Sequence, residues 1–243
     1  MKMMMFSTRT LKEIIRDPIS LFFGLAFPII ILLLMTLINQ NVPNDLFNIN
    51  SLTPGIAVFG LSFMTLFSAQ MIAKDRFSDF LTRLYTTPMT AYDFILGYTL
   101  PLIPMALVQV IICYAVSIML GMTFTLHILF AIITILPVAI LFNGIGLLCG
   151  SIFNEKAVAG ICGALLTNLT AWFSGTWFSL ELVGGWFEKI ANVLPFVHAV
   201  DMGRAVIDGD YANIFPHIWW VVGYGLGISL LAVYTFQKNM KNS

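Results

Sequence analysis

Six long apolar stretches occupy most of this 243-residue chain, and the charged residues lie almost entirely between them. An α-helix needs about 20 apolar residues to cross a bilayer core about 30 Å thick. Because that core holds no water, every backbone N–H and C=O must be bonded internally, so each stretch predicts a membrane-spanning helix. The predicted spans are roughly 20–38, 55–73, 94–120, 126–150, 157–176 and 217–236.

Composition and charge placement extend this prediction. Because 59% of the residues are hydrophobic and 10% are charged, we expect an all-α, polytopic membrane protein that forms a single domain over residues 1–243. With the N-terminus in the cytoplasm, ten of the twelve Lys and Arg residues lie in cytoplasmic segments, and only Lys189 and Arg204 lie outside. The positive-inside rule then predicts a multi-pass protein of the cytoplasmic (inner or plasma) membrane with both termini in the cytoplasm.

The sequence lacks the common catalytic and metal-binding motifs. It has no HExxH motif or similar metal-ligand spacing, and its three cysteines all lie within apolar stretches. None of its seven lysines follows a glycine, so the phosphate-binding loop GxxxxGK[ST] is absent as well. The formal net charge of zero gives no reason to expect a nucleic-acid partner. We therefore expect no catalytic residue, metal or cofactor in this chain, and no enzyme activity of its own.

The segment before the first span, residues 7–18, combines an apolar helical face with a charged one. Thr10 and Glu13 fit a capping box, in which each side chain bonds the other residue's free backbone N–H. This pattern predicts an amphipathic interfacial helix whose cations face lipid headgroups. The alternative is an ordinary charged flank before a span. The candidate interfacial residues are Arg9, Lys12, Glu13, Arg16 and Asp17.

The segment after the second span has a similar two-faced pattern. Its apolar face contains Phe77, Phe80, Leu81 and Leu84, and its charged face contains Arg76, Asp79 and Arg83. Pro88 ends this helix because the residue before a proline is pushed out of the α region. A capping box of Thr90 and Asp93 starts the next helix. We predict a short helix over 75–87 that docks on the bilayer surface, on the protein's own spans or on a partner protein.

Polar residues inside the predicted spans are neutral. They either line a transport pathway or join neighbouring helices by hydrogen bonds, and the sequence leaves both roles open. The candidate pathway residues are Ser62, Thr65, Gln70, Thr167 and Asn168.

The segment 177–216 is apolar and aromatic, but Gly184, Gly185 and Pro195 interrupt it. A stretch that is too broken to span and too apolar for solvent predicts re-entrant half-helices on the outer side. Asp201 and Arg204 lie three residues apart, so they can pair on a helix as part of an outer gate. A solvated pair without a role is the alternative.

These features together resemble the membrane-spanning permease subunit of type-2 ABC exporters (the ABC-2 type transporter family). The resemblance covers almost the whole chain. It includes Lys-Glu-Ile-Ile-Arg-Asp-Pro at 12–18, Leu-Thr-Arg-Leu-Tyr-Thr-Thr-Pro-Met-Thr at 81–90, and Leu194-Pro195 with Asp201 and Arg204. Family members often carry a Glu-x-Glu-x-Gly-Thr run before the second of these motifs, and this chain retains only Asp75 from it.

The resemblance implies how such a protein works. The helix 75–87 would be the coupling helix, seated in a cleft of an ATPase. The residues implied for coupling are Asp75, Arg76, Phe77, Phe80, Leu81, Arg83, Leu84, Thr87 and Pro88. Two ATPase subunits would hold ATP and Mg, and the first and fifth spans would pack against a second permease copy, identical or related.

The expected function is ATP-driven export of an amphipathic or hydrophobic compound such as a drug, antibiotic, peptide or lipid, which would include multidrug or antibiotic resistance. The alternatives are export of a lipid-linked glycan by the same architecture and a non-transporting membrane assembly or scaffold protein.

Overall fold

The computed structural model describes residues 2–41, 47–78 and 90–242, and all regular secondary structure within them is helical. These residues contain six segments that are long and apolar enough to cross a membrane, so the predicted all-α fold with six spans is confirmed. In chain order the helices are α1 (Lys2–Arg16), α2 (Pro18–Asn41), α3 (Ile49–Phe77), α4 (Ala91–Thr99), α5 (Leu102–Met119), α6 (Leu126–Ile152), α7 (Glu155–Phe173), α8 (Leu180–Val183), α9 (Gly185–Val193), α10 (Pro195–Ile207) and α11 (Ile214–Asn242).

Helix α3 lies at the centre of the bundle and is the most buried of the spans. It packs against α6 through two glycines that allow a close backbone approach. A Cβ atom on Gly146 would lie 2.0 Å from Ser68 Oγ, and one on Gly150 would lie 2.7 Å from the carbonyl oxygen of Ala69. Small residues commonly permit such contacts between membrane helices.

Prolines and π-helical turns interrupt several spans. The third span runs from Tyr92 to Met119 and is broken between α4 and α5 at Pro101, whose ring interrupts the backbone hydrogen bonds of a helix. Helices α2 and α7 contain π-helical stretches at Phe22–Ala26 and Ala159–Leu166. The sequence pattern did not predict either stretch.

Helix α1 begins earlier than the sequence pattern indicates. The predicted capping box of Thr10 and Glu13 is wrong, because α1 starts at Lys2 and continues through both residues. Thr10 is fully buried in the middle of the helix. Asp17 follows the last residue of α1, and its carboxylate instead caps α2 by accepting hydrogen bonds from Ile19 N and Ser20 Oγ.

The helix bundle has two ends, which lie at opposite ends of α3. The 29 residues of α3 extend over about 43 Å. The basic end contains α1, the C-terminus of α3, α4, and the turn between α6 and α7. The distal end contains the N-terminus of α3, α8, α9 and α10. There α9 and α10 meet at 77°, and the chain enters α9 through Gly184 and Gly185, with positive φ values of +61° and +59°.

Candidate functional site

A buried carboxylate joins three helices at the basic end. Asp75, near the C-terminus of α3, is 3% exposed. Arg9 of α1 donates to both of its oxygens, at 2.5 Å and 2.9 Å, and the Tyr98 hydroxyl of α4 donates to it at 2.9 Å. Bidentate, charge-assisted bonds of this kind are among the strongest polar contacts in proteins. We call Arg9, Asp75 and Tyr98 the Asp75 cluster.

Two further charges surround Arg9. Its guanidinium also lies 2.8 Å from Glu13, and Glu13 in turn lies 3.4 Å from the Lys74 ammonium. Burial lowers the pKa of Arg9, but the hydrogen bond and charge of Asp75 together with Glu13 outweigh it, so the pKa lies above its ordinary value. Arg9 therefore remains a cation in this cluster at any physiological pH.

Apolar packing fixes α1 against α4 beside this cluster. Phe6 is buried, and its ring meets those of Phe94 and Tyr98 edge-on at centroid distances of 5.6 Å and 4.9 Å. Gly97 leaves the space that the ring fills, since a Cβ there would lie 2.2 Å from Phe6 Cδ1. Any larger residue at 97 would force the Phe6 ring out of this position.

The residue after Asp75 joins α3 to another span. Arg76 donates to the carbonyl oxygens of Ile152 and Phe153 at 3.1 Å and 2.9 Å, and so caps the C-terminus of α6. Its guanidinium also lies 4.8 Å from the ring centroid of Phe77, which is 64% exposed. The last turn of α3 is thereby bonded to α1, α4 and α6.

The structure describes only part of the predicted coupling helix. Asp75, Arg76 and Phe77 form the last turn of α3, and the predicted capping box of Thr90 and Asp93 is confirmed at the start of α4. The other predicted coupling residues lie outside the described residues, and their docking stays a prediction. They are Phe80, Leu81, Arg83, Leu84, Thr87 and Pro88.

A cavity of about 900 Å³ opens beside the Asp75 cluster. Its walls come from α1, the first turn of α2, the basic end of α3 and the first residue of α7. All five candidate interfacial residues line it, as does Gln70, one of the candidate pathway residues. Lys12 and Arg16 are exposed there and form no ion pair with any residue in the described ranges.

The other candidate pathway residues bond backbone carbonyls. Ser62 donates to Phe59 at 2.6 Å within α3, and Thr65 donates to Phe142 of α6 at 3.0 Å. Within α7, Thr167 and Asn168 donate to carbonyls one turn earlier. Ser62 and Thr65 are fully buried inside the chain, which favours a role in helix packing. Asn168 is exposed on α7.

A second arginine joins the helices of the distal end. Arg204 of α10 donates to the carbonyl oxygen of Ser51 at 3.1 Å and to that of Gly175 at 2.9 Å. Its bond to Asp201 is longer, at 3.3 Å, so the pair predicted from the sequence forms. The backbone at Gly175 has φ +67°, a conformation that favours glycine. We call Arg204 and these three acceptors the Arg204 cluster.

Sequence reasoning did not single out Tyr98 or Phe6, because both lie in apolar surroundings that are typical of an ordinary helix. The feature of the sequence that could have indicated them is Asp75 itself. A carboxylate at the end of a buried span needs a cation and donors, and the residues facing it are the place to seek them.

Comparison with known proteins decides the family. Residues 2–207 match the family model described as ABC-2 type transporter. The chain belongs to the ABC-2 type transporter family. Its members are membrane domains of transporters and generally work with an ATPase, so this chain is an ABC-2 transport permease domain.

Two curated proteins illustrate the relationship. The chain is 24% identical over 215 residues to "ABC transporter G family member 20" of Dictyostelium discoideum. That alignment covers 83% of the chain and 29% of that protein. The chain is also 29% identical over 262 aligned positions to "Putative transport permease ycf38" of Pyropia yezoensis. This second alignment covers 96% of the chain and 87% of that protein. The chain thus spans under a third of the first relative and most of the second.

Proposed function

We propose that this chain is the permease subunit of an ATP-driven exporter that moves an amphipathic or hydrophobic compound out across the cytoplasmic membrane. Two ATPase subunits and a second permease copy, identical or related, complete the transporter. ATP and Mg bind the ATPases. In this proposal the basic end and both termini face the cytoplasm, in agreement with the charge distribution.

The observation that supports the proposal most is the way in which the flanks of segment 79–89 are bonded. Asp75 and Arg76 precede the segment, and the capping box of Thr90 and Asp93 follows it. These flanks contact α1, α4 and α6 through the Asp75 cluster and the Arg76 cap. A displacement of segment 79–89 by an ATPase would therefore act on several spans together.

The distal end fits an outer gate in this scheme. Helices α9 and α10 meet at 77° and present exposed apolar side chains such as Trp186 and Val193. The Arg204 cluster holds α10 against the start of α3 and the chain after α7. Opening of a pathway at this end would require the contacts of the Arg204 cluster to rearrange. The contacts of the Asp75 cluster at the basic end would transmit the ATPase-driven displacement to the spans.

The decisive experiment is copurification. The chain, carrying an affinity tag, is extracted from its native membrane, and the eluate is assayed for an ABC ATPase and for ATP hydrolysis stimulated by candidate amphipathic compounds. We expect an ATPase at one copy per permease copy. A permease that is purified intact with no ATPase and no associated hydrolysis would contradict the proposal and favour a scaffold protein.

A variant sharpens this test. Phe80→Asp places a charge on the apolar face of the predicted coupling helix, and a charge buried there without a partner is strongly unfavourable. We expect loss of stimulated hydrolysis while membrane insertion persists. Normal stimulated hydrolysis in this variant would remove that face from the mechanism.

The orientation is tested separately. Cysteines introduced at Lys74 or Lys156, in a background without native cysteines, should resist an impermeant thiol reagent added outside whole cells. Labelling of either cysteine from outside would overturn the orientation.

A further inference from the structure

We propose that the cavity at the basic end binds the phosphate-bearing headgroup of an anionic amphiphile, with its apolar tail directed along α3 into the membrane. The identification of this amphiphile as cargo rests on the proposed function, but the binding site itself does not. Three features of the cavity support the inference: its two exposed cations, its depth and its apolar wall.

The exposed cations of the cavity select for an anion. Lys12 and Arg16 lie one turn apart on α1 and form no ion pair with a described residue. The other two cations of the lining, Arg9 and Lys74, are already bonded to carboxylates. Two neighbouring cations of this kind attract a phosphate, which accepts several charge-assisted hydrogen bonds at once.

The carboxylates of the cavity are mostly engaged elsewhere. Glu13 lies between Arg9 and Lys74, and Asp17 accepts the capping bonds of α2. Glu155 is the remaining acid of the lining and forms no ion pair among the described residues. It disfavours a second negative charge on its side of the cavity.

The cavity reaches from the interface into the span. Gln70 lines it and lies seven residues before the end of α3, or about 10 Å along the helix. Its side chain forms no hydrogen bond with a described residue, so its amide is available to a polar headgroup. Gln70 therefore offers a neutral polar contact in the same cavity as the two cations.

Apolar side chains continue the site below the cations. Phe67 and Met71 form the α3 wall of the cavity, and Ile14 adds an apolar side chain from α1. A cavity lined by both exposed cations and apolar side chains fits a molecule with a charged head and a hydrocarbon tail. The neighbouring crevice at Gly24 and Met64 has a volume of only about 10 Å³, so the tail lies along the α3 wall and not in that crevice.

The bonds of Arg9 connect this cavity to the last turn of α3. Arg9 lines the cavity and also holds Asp75, which precedes the predicted coupling helix by a few residues. An anion that enters the cavity approaches the same guanidinium that Asp75 and Glu13 share. Occupancy of the site would therefore alter the contacts of the Asp75 cluster.

The test measures binding of defined probes to the purified full chain, with or without a bound ATPase. Dihexanoyl phosphatidic acid, dihexanoyl phosphatidylcholine and inorganic phosphate are titrated, and each is scored by the shift in thermal unfolding midpoint. We expect phosphatidic acid to bind at least about tenfold more tightly than either other probe, because only it combines an exposed phosphate with a tail. Equal binding of phosphatidylcholine or of inorganic phosphate would overturn the amphiphile assignment.

Variants locate the site. Lys12→Gln combined with Arg16→Gln should weaken phosphatidic acid binding by about tenfold or more, since it removes two charged donors. The matched control, Lys189→Gln with Lys238→Gln, removes two charges outside the cavity and should leave the affinity unchanged. If the double variant is unstable, Lys12→Gln alone gives the same test with a smaller loss. Equal losses in the variant and the control would overturn the proposal.

A final measurement separates cargo from a resident lipid. The complex is loaded with phosphatidic acid in phosphatidylcholine nanodiscs and supplied with ATP and Mg, and the bound phosphatidic acid is followed by mass spectrometry. Loss of the probe during ATP turnover identifies the site as part of the cargo pathway. Retention identifies a bound membrane lipid. Absence of an ATPase would contradict the proposed function and leave the binding results standing.

Discussion

The two ends of α3 are each held by an arginine, but the two arginines are satisfied in different ways. At the basic end, Arg9 meets the buried carboxylate of Asp75. At the distal end, Arg204 mainly meets the backbone carbonyls of Ser51 and Gly175, and its carboxylate partner is the more distant contact. A carboxylate stranded without its cation is a buried charge, whereas a stranded carbonyl is only an unsatisfied dipole.

This difference predicts unequal consequences. Asp75 has 4% of its side chain exposed, but Asp201 has 35% exposed, so solvent can replace the cation at the distal end only. The stability of the basic end should therefore depend on its charge pair. That of the distal end should depend on the planar guanidinium of Arg204, which donates to two carbonyls at once. Four substitutions test this comparison, from the largest expected effect to the smallest.

Arg9→Gln should have the largest effect. It strands the buried Asp75 carboxylate, and breaking such a pair costs about 3 kcal/mol. We expect a marked fall in the thermal unfolding midpoint of the purified chain. Lys156→Gln, which removes an exposed lysine at the same end, is the control and should change the free energy of unfolding by less than about 0.5 kcal/mol. Equal midpoints for the two variants would show that the Asp75 cluster does not stabilise the bundle.

Arg204→Gln should have the next largest effect, at about 2 kcal/mol. The glutamine amide can still donate to one of the two carbonyls, so the net loss is one hydrogen bond from a charged group, which contributes about 1.5–3 kcal/mol. The measurement is the same unfolding midpoint, together with transport at matched expression. Arg204→Lys keeps the charge and loses the fork, so it should recover only part of the stability. Full recovery by lysine would mean that charge alone acts at the distal end.

Tyr98→Phe should cost about 1 kcal/mol, the usual contribution of one intramolecular hydrogen bond. The ring contact with Phe6 is kept, so the packing of α1 on α4 provides an internal control. A loss as large as that of Arg9→Gln would place the hydroxyl, and not the arginine, at the centre of the cluster. That result would contradict the comparison between the two ends.

Asp201→Asn should have the smallest effect, at about 0–1 kcal/mol, because Asp201 is partly solvated and its bond to Arg204 is the longest of the three. In a double-mutant cycle with Arg204→Gln, the loss in the double variant should be close to that of Arg204→Gln alone. The cycle is scored by unfolding midpoint and by transport. A severe defect in Asp201→Asn would show that the pair is buried in the assembled transporter and would remove the contrast with Asp75.

The sequence predicted the parts of this fold that depend on local pattern. The six apolar stretches predict the spans because burial in a bilayer acts on every residue of a stretch. The capping box of Thr90 and Asp93 is correct because its two residues are neighbours in the chain. The same pattern at Thr10 and Glu13 fails because Phe6 packs on α4 and extends α1 by more than two turns upstream.

The contacts of the site could not be predicted in this way. Arg9 and Asp75 lie 66 residues apart, and Arg204 and Ser51 lie 153 residues apart. No periodicity in one segment reports on such pairs, since they depend on how the spans pack. The sequence therefore indicated Asp75 and Arg204 as residues with a role but not the groups that they bind. The cavity between α1 and α3 was unpredictable for the same reason.

Helix α3 carries an acceptor of each arginine, at Ser51 and at Asp75, in one uninterrupted helix. The 24-residue separation places these two acceptors about 36 Å apart along a single axis. A tilt of roughly 5° about the midpoint would move them about 1.5 Å in opposite directions, which is half the length of a hydrogen bond. A rigid tilt of α3 caused by a displacement at one membrane face would thus weaken the arginine contact at the other face. The helix would need no change in its own secondary structure.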